Sequence, residues 1–209
     1  MSFLVQLLLA APPILFALSI HEYAHGLVAD RFGDPTARLM GRLTLNPLAH
    51  LDPLGTLMIF LVHFGWAKPV PVDPYNLRDP KRDMIWISLA GPTANILAAA
   101  LCGVVFRILL FWGLEVPVLL WMLRFGVFIN LILAFFNLIP IPPLDGSKIL
   151  MGLLPADKEY KFRQLERYGP MILVGVILLG YWSRVPVVAF LISPFVNFFS
   201  QLFIGYKYF

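Results

Sequence analysis

Two histidines four residues apart with a glutamate beside the first, His21-Glu22-Tyr23-Ala24-His25, are the strongest chemical signal in this 209-residue chain. Residues four apart share one face of a helix, so both imidazoles point the same way and can give two nitrogen ligands to one Zn2+. Glu22 lies next to the first of them, within reach of a water held by such an ion, and can take its proton. A chance match on a soluble helix would carry the same letters. This one closes the first apolar stretch, where ionisable groups are costly unless paired, metal-bound or facing water, and that location argues for a role.

A catalytic zinc needs a third protein ligand and an open position. The soluble continuation, with Gly and a third His shortly after the motif, fails because Val28 and Arg31 stand there. Glu115, Glu159 and Glu166 lie in polar connections or beside a turn. Asp145 is different: it sits in Asn137-Leu138-Ile139-Pro140-Ile141-Pro142-Pro143-Leu144-Asp145-Gly146, at the end of a long apolar run. The prolines remove backbone donors and stop an ordinary helix, and Gly146 permits a tight turn. Irregular backbone at membrane depth is tolerated only inside protein or along a wet cavity, which is where an active site would be. Asp145 is therefore the expected third ligand. The plain alternative is a loop aspartate capping a helix that starts near Ser147. His50 and Asp52 compete for the ligand role, but Asn46-Pro47-Leu48-Ala49-His50-Leu51-Asp52-Pro53 suits a turn at the membrane surface. His63 suits a packed or interfacial position.

The elements that must carry these residues are membrane helices. With 59% hydrophobic and 13% charged residues and a mean hydropathy of +0.80, the chain has the composition of an integral membrane protein. Its one cysteine, Cys102, excludes an internal disulfide and a thiolate zinc site. The first apolar residues lack a basic leader and a small-residue cleavage site, and they read as a retained span. Spans of about 20 residues are expected at Phe3 to Ala29, Met84 to Trp112, Val116 to Ile139, roughly Tyr168 to Trp182, and Val185 to Ile204. Leu54 to Phe64 is too short to cross and has basic flanks, so it reads as re-entrant or interfacial. The expected class is all-α and polytopic, with about five spans. Residues 1–150 form the catalytic membrane core, and residues 151–209 form supporting C-terminal helices.

Orientation follows from the cations. With the N-terminus outside, the basic residues of 31–82 and 148–167, and Lys207, fall inside, while Arg107, Arg124 and Arg184 fall outside. A basic chain of net charge +4 could bind nucleic acid if soluble, but here its cations mark the cytoplasmic face and no nucleic-acid partner is expected. The site then faces the cytoplasmic side of a prokaryotic plasma membrane. Self-association is left open.

HEYAH in the first span and NLIPIPPLDG in a later one resemble the site-2 proteases, a family of intramembrane zinc metalloproteases. Gly65-Trp66-Ala67-Lys68-Pro69-Val70-Pro71-Val72 and Ala90-Gly91-Pro92-Thr93-Ala94-Asn95 resemble the same family. The resemblance implies Zn2+ on His21, His25 and Asp145, activation of water by Glu22, and an Asn137 that holds substrate or stabilises charge. An interhelical hydrogen bond is the plain reading of Asn137, and close packing with a polar tie that of Gly91 and Asn95. The substrates implied are transmembrane proteins within the bilayer. A helical peptide bond hides its carbonyl, so the substrate must be offered extended. Trp66, Lys68, Val70 and Val72 would form a membrane-surface hairpin whose edge pairs with that strand. The chain is compact beside larger relatives, with no room for an inserted PDZ or a nucleotide-sensing domain.

Two other classes fit part of the pattern. A metal transporter could use the same ligands as a transit site, but no further acidic or histidine residues line the other spans to pass an ion onward. A non-catalytic relative that binds membrane proteins would not need the motif, the third carboxylate and an open position together.

Overall fold

The computed structural model describes residues 3–55, 67–183 and 186–209. Among the described residues, four helices are long and apolar enough to cross a membrane: α1 (Phe3–Arg31), α3 (Pro80–Phe111), α4 (Pro117–Asn137) and α8 (Val187–Ile204). Shorter helices are α2 (Thr36–Leu39), α5 (Asp145–Leu153), α6 (Ala156–Glu166) and α7 (Gly169–Ser183). The start of α3 is set locally: Pro80 fits the first helical position, and the Asp79 carboxylate accepts from the Arg82 N–H at 3.2 Å.

Helix α3 is the hub, packing on α1, α4, α5 and α8. Its small residues let neighbours approach as closely as membrane helices require, and a Cβ on Gly103 would stand 2.7 Å from that of Phe203 on α8. Ala99, Val127, Leu131, Ile139, Leu144, Ile192 and Val196 make the main core, while Leu97, Leu101, Val104 and Ile108 face outward from α3 as a lipid-facing side would.

Two expectations change. The fourth expected span is α7, a helix of 15 residues, and at ~1.5 Å per residue it is shorter than the ~30 Å hydrocarbon layer. It starts against Pro142, where a Cβ on Gly169 would collide, and α8 leaves from the same end of the bundle, with Ile192 in one cluster with Ile139 and Leu144. α8 finishes at the opposite end, where the Arg107 guanidinium donates to the Leu202 and Phe203 carbonyls and the Tyr208 hydroxyl to the Arg124 carbonyl. Lys207 thus shares a face with Arg107 and Arg124, away from the cations of residues 31–82 with which it was expected. The other change concerns the hairpin. Among the described residues there is no strand, only an isolated antiparallel bridge between Leu51 and Ala67. Pro69 and Pro71 have no N–H with which to extend a ladder. The short run at Leu54 to Phe64 and the residues His63 and Trp66 lie largely or wholly outside the described residues.

Candidate metal centre

α1 carries His21 and His25 to one face, six to ten residues before its end at Arg31, so the pair lies about 9–15 Å inside the basic end of the bundle. α4 stops at Asn137, and a run of tight turns returns the chain: Ile141 N–H donates to the Ile139 carbonyl (2.8 Å) and Leu144 N–H to that of Ile141 (2.9 Å). Gly146 lies against the Leu138 and Ile139 carbonyls, where no Cβ fits. Asp145 becomes the first residue of α5, with its carboxylate at the favourable end of the helix dipole. It does not cap its own helix. Its Oδ2 lies 3.1 Å from His21 Nε2 and 3.2 Å from His25 Nε2, and all three side chains are buried.

The other ring nitrogens decide what these contacts mean. His25 Nδ1 is 2.6 Å from the Ile87 carbonyl, which can only accept, so Nδ1 is the donor. His21 Nδ1 is 2.6 Å from Asn95 Oδ1. The Asn95 amide is oriented in turn, because its Nδ2 donates to the Ala17 carbonyl at 2.9 Å and to Asn130 Oδ1 at 2.8 Å. Asn130 Nδ2 closes the chain on the Gly126 carbonyl at 2.8 Å. With Nδ1 as the donor, the neutral form of each ring turns its Nε2 lone pair toward the same carboxylate oxygen, a repulsive arrangement in a dry interior unless a cation lies between them. A divalent cation removes the repulsion. Ligands ~2.0–2.2 Å from a tetrahedral zinc are about 3.3–3.6 Å apart, slightly beyond the 3.1 and 3.2 Å of the two His–Asp pairs. The donor set fits zinc, and the three ligand atoms lie within 4.8 Å of one another.

Gly91 on α3 completes the cradle. A Cβ there would stand 2.7 Å from His21 Nε2 and collide with His25 Nε2, so only glycine lets α3 pass beneath the rings. Gly91 and Asn95 do more than tie helices together: one makes room for the imidazoles and the other orients one of them. Asn130, fully buried on α4, escaped the sequence reading. Its one signal is an amide in the middle of an apolar span, which must find a partner. Asn95→Leu is expected to weaken zinc binding about 10- to 100-fold in a chelator competition, the usual effect of losing an outer-shell partner. Unchanged affinity would mean that this chain of amides does not hold His21.

The remaining candidates sit around this centre. Glu22 is half-buried, and its Oε2 accepts from the Val70 N–H at 2.7 Å. Asn137 donates to the Leu133 carbonyl of its own helix at 2.9 Å, and not to the His–Asp cluster. Lys68 is exposed, its N–H donating to the His50 carbonyl at 2.8 Å, and Val72 packs against Ala29, Leu77 and Ile87. His50 is buried with Nε2 on the Thr44 carbonyl, and Asp52 accepts from the Gly55 N–H at 2.7 Å, so both hold turns. Asp34, in the loop after α1, is fully buried. Burial pushes its pKa up, but hydrogen bonds from Thr36, Asn76 and Asp73 outweigh that and hold it below the usual carboxylate range.

Comparison with known proteins gives the arrangement a family. The profile of Peptidase family M50 matches residues 114–180, which include Asn137 and Asp145. "Putative zinc metalloprotease YwhC" of Bacillus subtilis is 34% identical over 197 residues, 91% of this chain and 90% of that protein. The chain belongs to peptidase family M50. The chain is also similar to "Putative zinc metalloprotease Rip2" of Mycobacterium tuberculosis, 31% identical over 78% of this chain and 64% of that protein. "Putative zinc metalloprotease MJ0611" of Methanocaldococcus jannaschii is 38% identical over 46% of this chain and 40% of its own length. No solved structure gives a significant match. Family membership and the His-His-Asp donor set together make this M50 chain a zinc metalloprotease with several membrane-spanning helices.

Proposed function

We propose that this M50 protease cuts peptide bonds within or near the transmembrane segments of other membrane proteins, with His21, His25 and Asp145 as zinc ligands and Glu22 as general base. One observation carries the reading: the three ligand atoms meet about 9–15 Å along α1 from its basic end, inside an apolar helix bundle, with a carboxylate one residue from the first imidazole. A bond hydrolysed there belongs to a chain that enters from the lipid.

Zinc bound there supplies Lewis acidity toward water and the scissile carbonyl. The residues supply the rest. Oε2 of Glu22 is held by the Val70 N–H, and its other oxygen can take the proton of the attacking water. As the water oxygen bonds to the carbonyl carbon and the C–N bond breaks, that proton passes to the departing nitrogen. Asn137 can donate to the developing oxyanion once its amide turns from the Leu133 carbonyl. Water reaches the centre from the cytoplasmic face, whose nearest polar segment is 30–52.

The test is purified protein in liposomes with a single-span substrate, the products mapped by mass spectrometry. Cleavage inside the span is expected, and cuts confined to soluble flanks would contradict the reading.

A further inference from the structure

Pro69 and Pro71 carry no N–H, so Val70 has the one backbone donor in Pro69-Val70-Pro71, and it is aimed at Glu22 Oε2 at 2.7 Å. We propose that the Val70 N–H positions Glu22 for proton transfer, and that the two flanking prolines lock the register in which this donor meets the carboxylate. The inference rests on reading Glu22 as the general base and adds to it the group that aims it. Val70 acts through Glu22 and is a positioning residue.

The geometry around Val70 is that of a clamped, irregular segment. On one side the buried Arg42 guanidinium donates to the Lys68 carbonyl at 2.8 Å and to that of Pro69 at 3.3 Å. Lys68 N–H donates to the His50 carbonyl at 2.8 Å. On the other side Asp73 N–H donates to the buried Asp34 carboxylate at 2.7 Å. Between them the Val70 side chain is buried against Gly26, one helical turn after Glu22, where a Cβ would stand 3.2 Å from Val70 Cγ1. Lys68 and Val70 each precede a proline and are confined to extended conformations, so the segment reaches Glu22 stiff.

A slip of one residue in either direction would put a proline nitrogen opposite Glu22 and present no donor. The next N–H, of Lys68 or Val72, arrives only after a slip of two residues, roughly 6.6 Å, which breaks all four anchors. An N–H to carboxylate bond is charge-assisted and directional. It fixes one oxygen of Glu22 and so the direction in which the other faces water. A glutamate on a helix surface would otherwise sample several rotamers.

The test replaces the Val70 amide by an ester, using the α-hydroxy analogue of valine at that position, alongside Val70→Pro. Each variant, purified whole and reconstituted with a single-span substrate, is read for bound zinc, kcat and KM. The ester should keep its zinc and its KM and lose about 10- to 100-fold in kcat, the range a hydrogen bond to a charged group carries. Val70→Pro, which also removes the N–H, should fall at least as far as the ester. An ester with wild-type kcat, in a protein that Glu22→Gln inactivates, overturns the proposal and leaves the general-base reading standing. A loss confined to KM also overturns it, because the segment would then act only on substrate. Cleavage that survives Glu22→Gln counts instead against the base assignment itself.

Discussion

Glu22→Gln should bind zinc as the wild type does and lose about 10²- to 10⁴-fold in kcat, the usual contribution of a general base. The amide is nearly isosteric with the carboxylate, and Gln Oε1 can still accept from the Val70 N–H, so the local structure survives. What disappears is the capacity to take a proton from water and return it to the leaving nitrogen. Glu22 is not one of the three clustered ligands, so zinc content should be unaffected. Single-turnover cleavage measured together with zinc content separates the two effects. Loss of zinc in Glu22→Gln would make Glu22 a ligand, and full activity would remove it from the mechanism.

Asp145→Asn is expected to lower zinc affinity by more than the roughly 10- to 100-fold that an outer-shell loss costs, and to lower cleavage with it. Its carboxylate oxygen is the one negative group touching both imidazoles, and the neutral amide has neither its charge nor its affinity for a divalent ion. An Asn also offers an N–H2 group that can donate to both Nε2 lone pairs. The apo fold should therefore survive, and a chelator competition on folded protein reads the affinity directly. Parallel losses of zinc and activity in Asp145→Asn, against loss of activity alone in Glu22→Gln, distinguish ligand from base.

Much of the centre could be read from the chain because its signals are local or scarce. His21 and His25 are four apart in an apolar run, and Asp145 is a carboxylate that interrupts a span with prolines around it. Four of the five expected spans became helices of crossing length. α7 misled because its composition is that of a span, while its length and its start against Pro142 are settled by tertiary packing. The outer shell was harder. Asn130 makes its bond 35 residues away in sequence, and nothing beside it in α4 marks it. The prolines around Val70 suggested a substrate edge, but its N–H meets Glu22 48 residues away, a contact that only the folded loop reveals. Gly91 resembled an ordinary packing glycine until the rings of His21 and His25 were found above it.

Zinc K-edge X-ray absorption of the purified protein, wild type beside Asp145→Asn, measures directly what surrounds the metal. The wild type should show one zinc per chain with only nitrogen and oxygen neighbours, two imidazoles among them, at ~2.0–2.2 Å. Asp145→Asn should show less zinc and a first shell missing the carboxylate oxygen. A sulfur neighbour in the wild type, or an Asp145→Asn spectrum identical to it, would contradict the assignment of His21, His25 and Asp145.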